Sequence, residues 1–225
     1  LNNTDAKATA DASTVSKTQI NEKGVGVAAA VNYVDPDSIA RVAGGAQVDA
    51  VGLTVMAGVN SVPSTDMGGT PDVLNIFEAT ARSGAGGTKV GAAGSFALNI
   101  VDTNQSDAII ENGTTINLRT GALTVEAQNP SQSMVRADAV LTGVGTMNPE
   151  LGVGASVALN IVDTRTRAVV EDGAVMTGTA TLINVTASSV QTVTTNAMSG
   201  GAGFLDFATK TSADPAVAVT VLPVN

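Results

Sequence analysis

One phrase occurs three times in this chain, and that repetition limits the possible folds more than any other feature. With Asn32, Asn99 and Asn160 in register, the copies are GVGVAAAVNYVDPDSIARVAGGAQV from Gly24, GAAGSFALNIVDTNQSDAIIENGTTI from Gly91 and GVGASVALNIVDTRTRAVVEDGAVM from Gly152. Each carries Asn-x-x-Asp, as Asn32/Asp35, Asn99/Asp102 and Asn160/Asp163. A turn pair follows, Gly44-Gly45, Asn112-Gly113 and Asp172-Gly173, then a strand-like run, LTVMA, LTVEA or INVTA. A fourth run rich in Ala and Thr lies near Ala79, Ala137 and Ala197. Self-similarity at a period of this size means stacked units, each needing its neighbours to complete a core.

The step is 67 residues between the first two Asn and 61 between the second and third. Most of the excess falls in NSVPSTDMGGTPDV at 60–73, whose Pro and Gly read as an inserted surface loop. The chain therefore divides as one continuous array. Residues 1–23 read as the end of a preceding unit, 24–90 as the first repeat, 91–151 as the second, 152–213 as the third and 214–225 as the start of a following unit. ATADAS at 8–13 matches VRADAV at 135–140, and AVAVTVLPVN at 216–225 matches the opening of a repeat.

Within each copy, residues alternate at strand period. Val157, Leu159 and Ile161 share one face with Phe96, Leu98, Ile100 and Ala29, Val31, Tyr33 of the other copies. This bulky face is expected to be core. Ala158, Asn160 and Val162 mark the other, small and flat face, expected to be free for lateral packing. Four short strands per unit, with about three coils to a repeat, predict an all-β parallel β-helix or a related β-solenoid. At ~4.8 Å per coil this gives a rod ~50 Å long. Tandem antiparallel β-sandwich modules are the alternative, because Asn112-Gly113 and Asp172-Gly173 between apolar runs are also hairpin signals.

GVGASVALNIVDTRTRAVVEDGAV resembles the units of very large secreted bacterial proteins, the filamentous-haemagglutinin-like adhesins and leukotoxin-like repeat proteins. The resemblance spans most of the chain and implies a right-handed β-helical shaft on the cell surface. The calcium-binding nonapeptides found in some such proteins do not occur in this sequence.

Composition narrows the chemistry. The chain has no His and no Cys, which removes the commonest general base, the thiolate nucleophile and the usual transition-metal ligands. Its net charge of −9 opposes nucleic acid and anionic membrane surfaces as partners, and no apolar run is long enough for a membrane-spanning helix. Residues 1–20 lack the pattern of a signal peptide, so an export signal is expected outside this stretch. Four Phe, one Tyr and no Trp leave little for stacking sugars, which weighs against a carboxylate-based carbohydrate-active enzyme.

The recurrent Asn-x-x-Asp reads as architecture. Catalysis needs one special site, and this pair occurs three times. Asp35, Asp102 and Asp163 are expected to end strands and start turns, and Gly45, Gly113 and Gly173 to make the turns. Stacked Asn32, Asn99 and Asn160 would form an amide ladder if equivalent coils were adjacent, but three coils per repeat would hold them apart. Asp35/Asp37, Glu171/Asp172 and Asp66/Asp72 are weak Ca²⁺ candidates without EF-hand spacing, and solvated turns explain them. SGAGGTK at 83–89 lacks the Gly-Lys-Ser/Thr order of a phosphate loop and reads as a connection.

The expected function is structural: a shaft, stalk or filament-forming scaffold of an extracellular bacterial surface protein, with no catalytic site and no cofactor. Its expected partners are neighbouring repeats and further copies, end to end or side by side. The alternative is an adhesive module that holds host glycan or protein through the 60–73 loop.

Overall fold

The computed structural model describes residues 6–12, 23–58, 75–85, 90–141, 151–201, 211–213 and 216–222. In chain order the strands are β1 (Ala6–Ala12), β2 (Lys23–Val34), β3 (Asp37–Val42), β4 (Gln47–Ala50), β5 (Leu53–Gly58), β6 (Asn75–Ala85) and β7 (Val90–Ile110). They continue as β8 (Thr115–Leu118), β9 (Ala122–Leu141), β10 (Leu151–Val170), β11 (Val175–Gly178), β12 (Leu182–Gly201), β13 (Thr211–Ala213) and β14 (Ala216–Val221).

The fold is all-β among the described residues, and its strand pairs are parallel. Strands β1, β6, β5, β9 and β12 form one sheet. A second contains β2, β3, β7, β10, β13 and β14, and a third, three-stranded sheet orders β11-β8-β4. Pairing runs between repeats, position for position. Asn32 lies beside Asn99 and Asn99 beside Asn160. Leu53 pairs with Leu123, which in turn pairs with Ile183. Each repeat thus lays a single rung across all three sheets.

This corrects the expected three coils per repeat. The second repeat uses two long strands, β7 of 21 residues and β9 of 20, joined through the four-residue β8. The expected third and fourth runs are one strand in β9 and β12, and are split into β5 and β6 only in the first repeat. At ~4.8 Å per rung, the stack of about four rungs is ~15–20 Å long, well short of ~50 Å. The hairpin reading is corrected as well. Gly45, Gly113 and Gly173 have φ of 80°, 77° and 85° and make tight turns, yet the strands on either side of each turn join different sheets.

The inserted loop leaves its mark on the register. Gly58 pairs with Gln128, an offset of 70, whereas Asn75 pairs with Ser131, an offset of 56. The 60–73 segment itself lies outside the described residues. The two end segments also fall on repeat positions: Ala10 pairs with Ala81, which pairs with Ala137, and Val217 pairs with Val157.

The core has two regions of different width. At one end all three sheets converge, and Ile110, Ile116, Leu118, Leu123, Val125 and Val55 fill the space with branched aliphatic mass. Away from it, the two long sheets face each other over Ala28, Ala30, Ala79, Ala81, Ala97, Ala137 and Ala158. There the backbones approach closely: a Cβ placed on Gly26 would sit 1.8 Å from the carbonyl oxygen of Gly84 on the opposite sheet.

That separation decides which face points inward, and the sequence-based expectation is reversed. Ala97, Asn99, Ala158 and Asn160 are 0% exposed, while Val31 is 56%, Tyr33 60% and Phe96 38% exposed. Where Gly, Ala and Ser line the gap there is no room for a row of Leu or Phe, so the bulky alternating residues of β2, β7 and β10 face out, and Phe77 is buried further along, against Val101 and Val162. The small face is therefore interior and takes no part in lateral packing.

Candidate functional site

The repeated asparagine is the centre of a polar column inside the narrow core. Because each repeat is one rung, equivalent amides meet directly. Asn32 Nδ2 donates to Asn99 Oδ1 at 2.8 Å, and Asn99 Nδ2 donates to Asn160 Oδ1 at 3.2 Å. The facing sheet contributes Ser133. Asn99 Nδ2 also donates to Ser133 Oγ at 2.6 Å, and Ser133 Oγ donates to Asn160 Oδ1 at 2.8 Å. Asn160 Nδ2 then reaches the backbone carbonyls of Ser133 and Thr194 at 3.4 and 3.5 Å. A neutral amide both donates and accepts, so it can propagate from rung to rung without burying charge.

Smaller polar contacts reinforce this column. Ser95 Oγ and Ser156 Oγ lie 3.0 Å apart one rung from each other, and Ser156 donates to the carbonyl of Met198 at 2.5 Å. Near the wide end, Asn104 Nδ2 donates to Asn129 Oδ1 at 2.9 Å and Asn129 Nδ2 returns a bond to the Asn104 carbonyl at 2.7 Å. The column ties the two sheets together and fixes the stacking register, because a slip by one residue would bury the outward apolar face and unpair every amide.

The aspartates of Asn-x-x-Asp sit outside this column. Asp35 follows the end of β2, but Asp102 and Asp163 lie within the continuous strands β7 and β10, so the expected strand ends are corrected in the second and third repeats. An irregularity occurs there instead. The register shifts between Val162 and Thr164, leaving Asp102-Thr103 opposite Asp163, and Thr103 takes φ 55°. This is a β-bulge with a β-branched residue in left-handed geometry. Tyr33 Oη donates to Asp102 Oδ2 at 2.9 Å, and this bond to the carboxylate raises the phenol's pKa above its ordinary value of 10.0.

A shallow cleft of about 570 Å³ adjoins the bulge, lined by Thr103, Asp163, Thr164, Arg165 and Thr166. Arg165 and Arg167 both approach the buried carboxylate of Asp107 in the preceding rung, at 3.2 and 3.4 Å. These groups join rungs as ion pairs.

The acidic turns have equally structural partners. Glu111 Oε2 accepts the Gly44 N–H at 2.8 Å, and Glu171 Oε2 accepts the Asn112 N–H at 3.1 Å, so each rung's glutamate caps the turn before it. Asp49 receives both Arg119 Nε and Nη2 at 2.9 and 2.8 Å, which lowers the Asp49 pKa and raises that of Arg119. Among the described residues, no three acidic side chains converge as a metal cage. Asp66, Asp72 and residues 86–89 of SGAGGTK lie outside them.

The outward side of the β2–β7–β10–β14 sheet is the feature that sequence reasoning missed. It presents Val25, Val27, Val31 and Tyr33, then Phe96, then Val153 and Val157, then Val217, Val219 and Val221, all exposed. The outer side of the other long sheet is polar, with Thr124, Glu126, Gln128, Gln132 and Arg136. No protein-family model, curated protein or solved structure matches this chain.

Proposed function

We propose that this chain is a segment of a right-handed β-solenoid shaft in an extracellular bacterial surface protein, a structural element that spans distance and carries other parts of the molecule. The observation that carries this reading is the strand-for-strand parallel pairing of three successive repeats, each forming one rung. Right-handed crossovers are the rule for such parallel connections. The resemblance to large secreted adhesins supports the cell-surface placement. The amides, serines and ion pairs described above join one rung to the next or one sheet to the other, which supports a scaffold reading.

Genes encoding two, four and eight added copies of residues 91–151, measured by small-angle scattering, test this. A shaft lengthens by ~4.8 Å per added repeat at constant cross-section. Particles that grow in all dimensions would contradict it. Antibody labelling of intact cells of the encoding bacterium tests the surface placement. The second reading, adhesion to glycan or protein through the loop, is favoured by the fourteen-residue register jump between β5 and β6. Deleting residues 60–73 would then abolish binding and leave the thermal transition in place.

A further inference from the structure

The outward apolar face extends over four neighbouring strands without a charged side chain. It covers Val25 to Tyr33 on β2, Ala92 to Ile100 on β7, Val153 to Ile161 on β10 and Val217 to Val221 on β14. With ~3.3 Å per residue along the strands and ~4.8 Å between them, it measures roughly 500–600 Å². That is at the upper end of patches left bare on monomers, and two such faces together reach about 1,100 Å², the lower range for a specific interface.

The geometry points to this face as a lateral docking surface for a second copy of the chain. The copies are related by a two-fold axis running along the direction in which rungs stack. A pleated sheet with regular ridges is best complemented by another sheet of the same spacing, packed face to face. The charges at the edges of the patch select the orientation. Lys23, exposed, stands at the start of the face, and Asp35 and Asp102, exposed, stand with Asp163 at its far end. A two-fold axis along the strands would set acidic end against acidic end. An axis along the stack sets Lys23 of one copy over Asp35 of the other, and it leaves both shafts with the same polarity. Ala29, Phe96 and Val157 lie midway between these ends in successive rungs, so they sit on the axis and meet their own counterparts.

This deepens the shaft reading but depends only on the outward face, so a lone monomeric shaft would overturn the pairing and leave that reading intact. The test is sedimentation velocity of the full chain from about 1 to about 200 µM, with a dissociation constant of about 10–100 µM expected for an interface this small. Phe96→Lys should weaken association by about a hundred-fold. Ala29→Lys should act similarly, and as an exposed alanine it removes no packing, so its circular-dichroism spectrum should be unchanged. Thr124→Lys on the opposite outer face should have no effect. Lys23→Asp should weaken pairing, and Lys23→Asp with Asp35→Lys should restore it. A monomer at the highest concentration, or association indifferent to Phe96→Lys and Ala29→Lys, would overturn the docking surface. Failure of the charge exchange to restore pairing would overturn the proposed axis, and binding of the monomer to neutral lipid vesicles would assign the face to a different partner.

Discussion

Replacing Asn99 by Ala isolates the polar column, because Asn99 is its fully buried middle member. The substitution removes three hydrogen bonds: the one accepted from Asn32 and the two donated to Ser133 and Asn160. Asn160 Oδ1 keeps Ser133 as a donor, so the cost is that of the three lost bonds. At about 0.5–1.5 kcal/mol for each hydrogen bond, Asn99→Ala should cost roughly 2–4 kcal/mol. Asn32→Ala, on β2 at the edge of its sheet, removes the buried bond to Asn99 Oδ1 and should cost about 1 kcal/mol. Urea titrations followed by circular dichroism measure both. Asn99→Asp adds a pH signature. Burial without a facing cation raises the folded carboxyl pKa, so stability falls as pH rises from the unfolded value of about 4 to that raised value. The variant should therefore be least stable at neutral pH and recover in acid. Equal costs for Asn99→Ala and Asn32→Ala, or a pH-independent Asn99→Asp, would refute the column as the element that joins the rungs.

Three further outcomes follow from named contacts. Tyr33 is the sole tyrosine and no tryptophan is present, so phenolate absorbance reports it alone. Its midpoint should lie above 10, and Asp102→Asn should lower it. A raised folded pKa favours the protonated phenol, so this contribution holds below the unfolded pKa and is lost as pH rises through the folded one. Thr103→Gly should stabilise the chain by about 0.5–1 kcal/mol, because glycine accepts the left-handed φ without steric cost. In a chain without native cysteine, Leu98→Cys should react rapidly with maleimide and Ala97→Cys only on unfolding.

The repeat, its strand alternation and its turns are legible in the sequence. Alternation defines two faces, however, and does not say which is inside. Hydrophobic bulk points to Leu98 and Leu159, and the narrow gap at Gly26 and Gly84 overrules it. A better guide is present in the copies themselves. Three inward columns hold their residues, as Ala30/Ala97/Ala158, Asn32/Asn99/Asn160 and Val34/Val101/Val162, whereas the outward columns vary, as Val31/Leu98/Leu159 and Tyr33/Ile100/Ile161. Identity marks the inward side in these three columns, while the inward Ala28/Ser95/Ser156 and Phe77/Ser133 differ between rungs. The number of coils per repeat is not legible, because it depends on strand length, and the bulge at Thr103 lets one strand run through what reads as a strand end.

The central claim is that one repeat makes one rung, and it can be measured as a distance. Gln132 and Thr192 are register partners on the polar outer face of β9 and β12. Nitroxides on Gln132→Cys and Thr192→Cys should sit on strands ~4.8 Å apart and give a spectrum collapsed by spin exchange. Three coils per repeat would separate them by ~14 Å, leaving only weak dipolar broadening and contradicting the account.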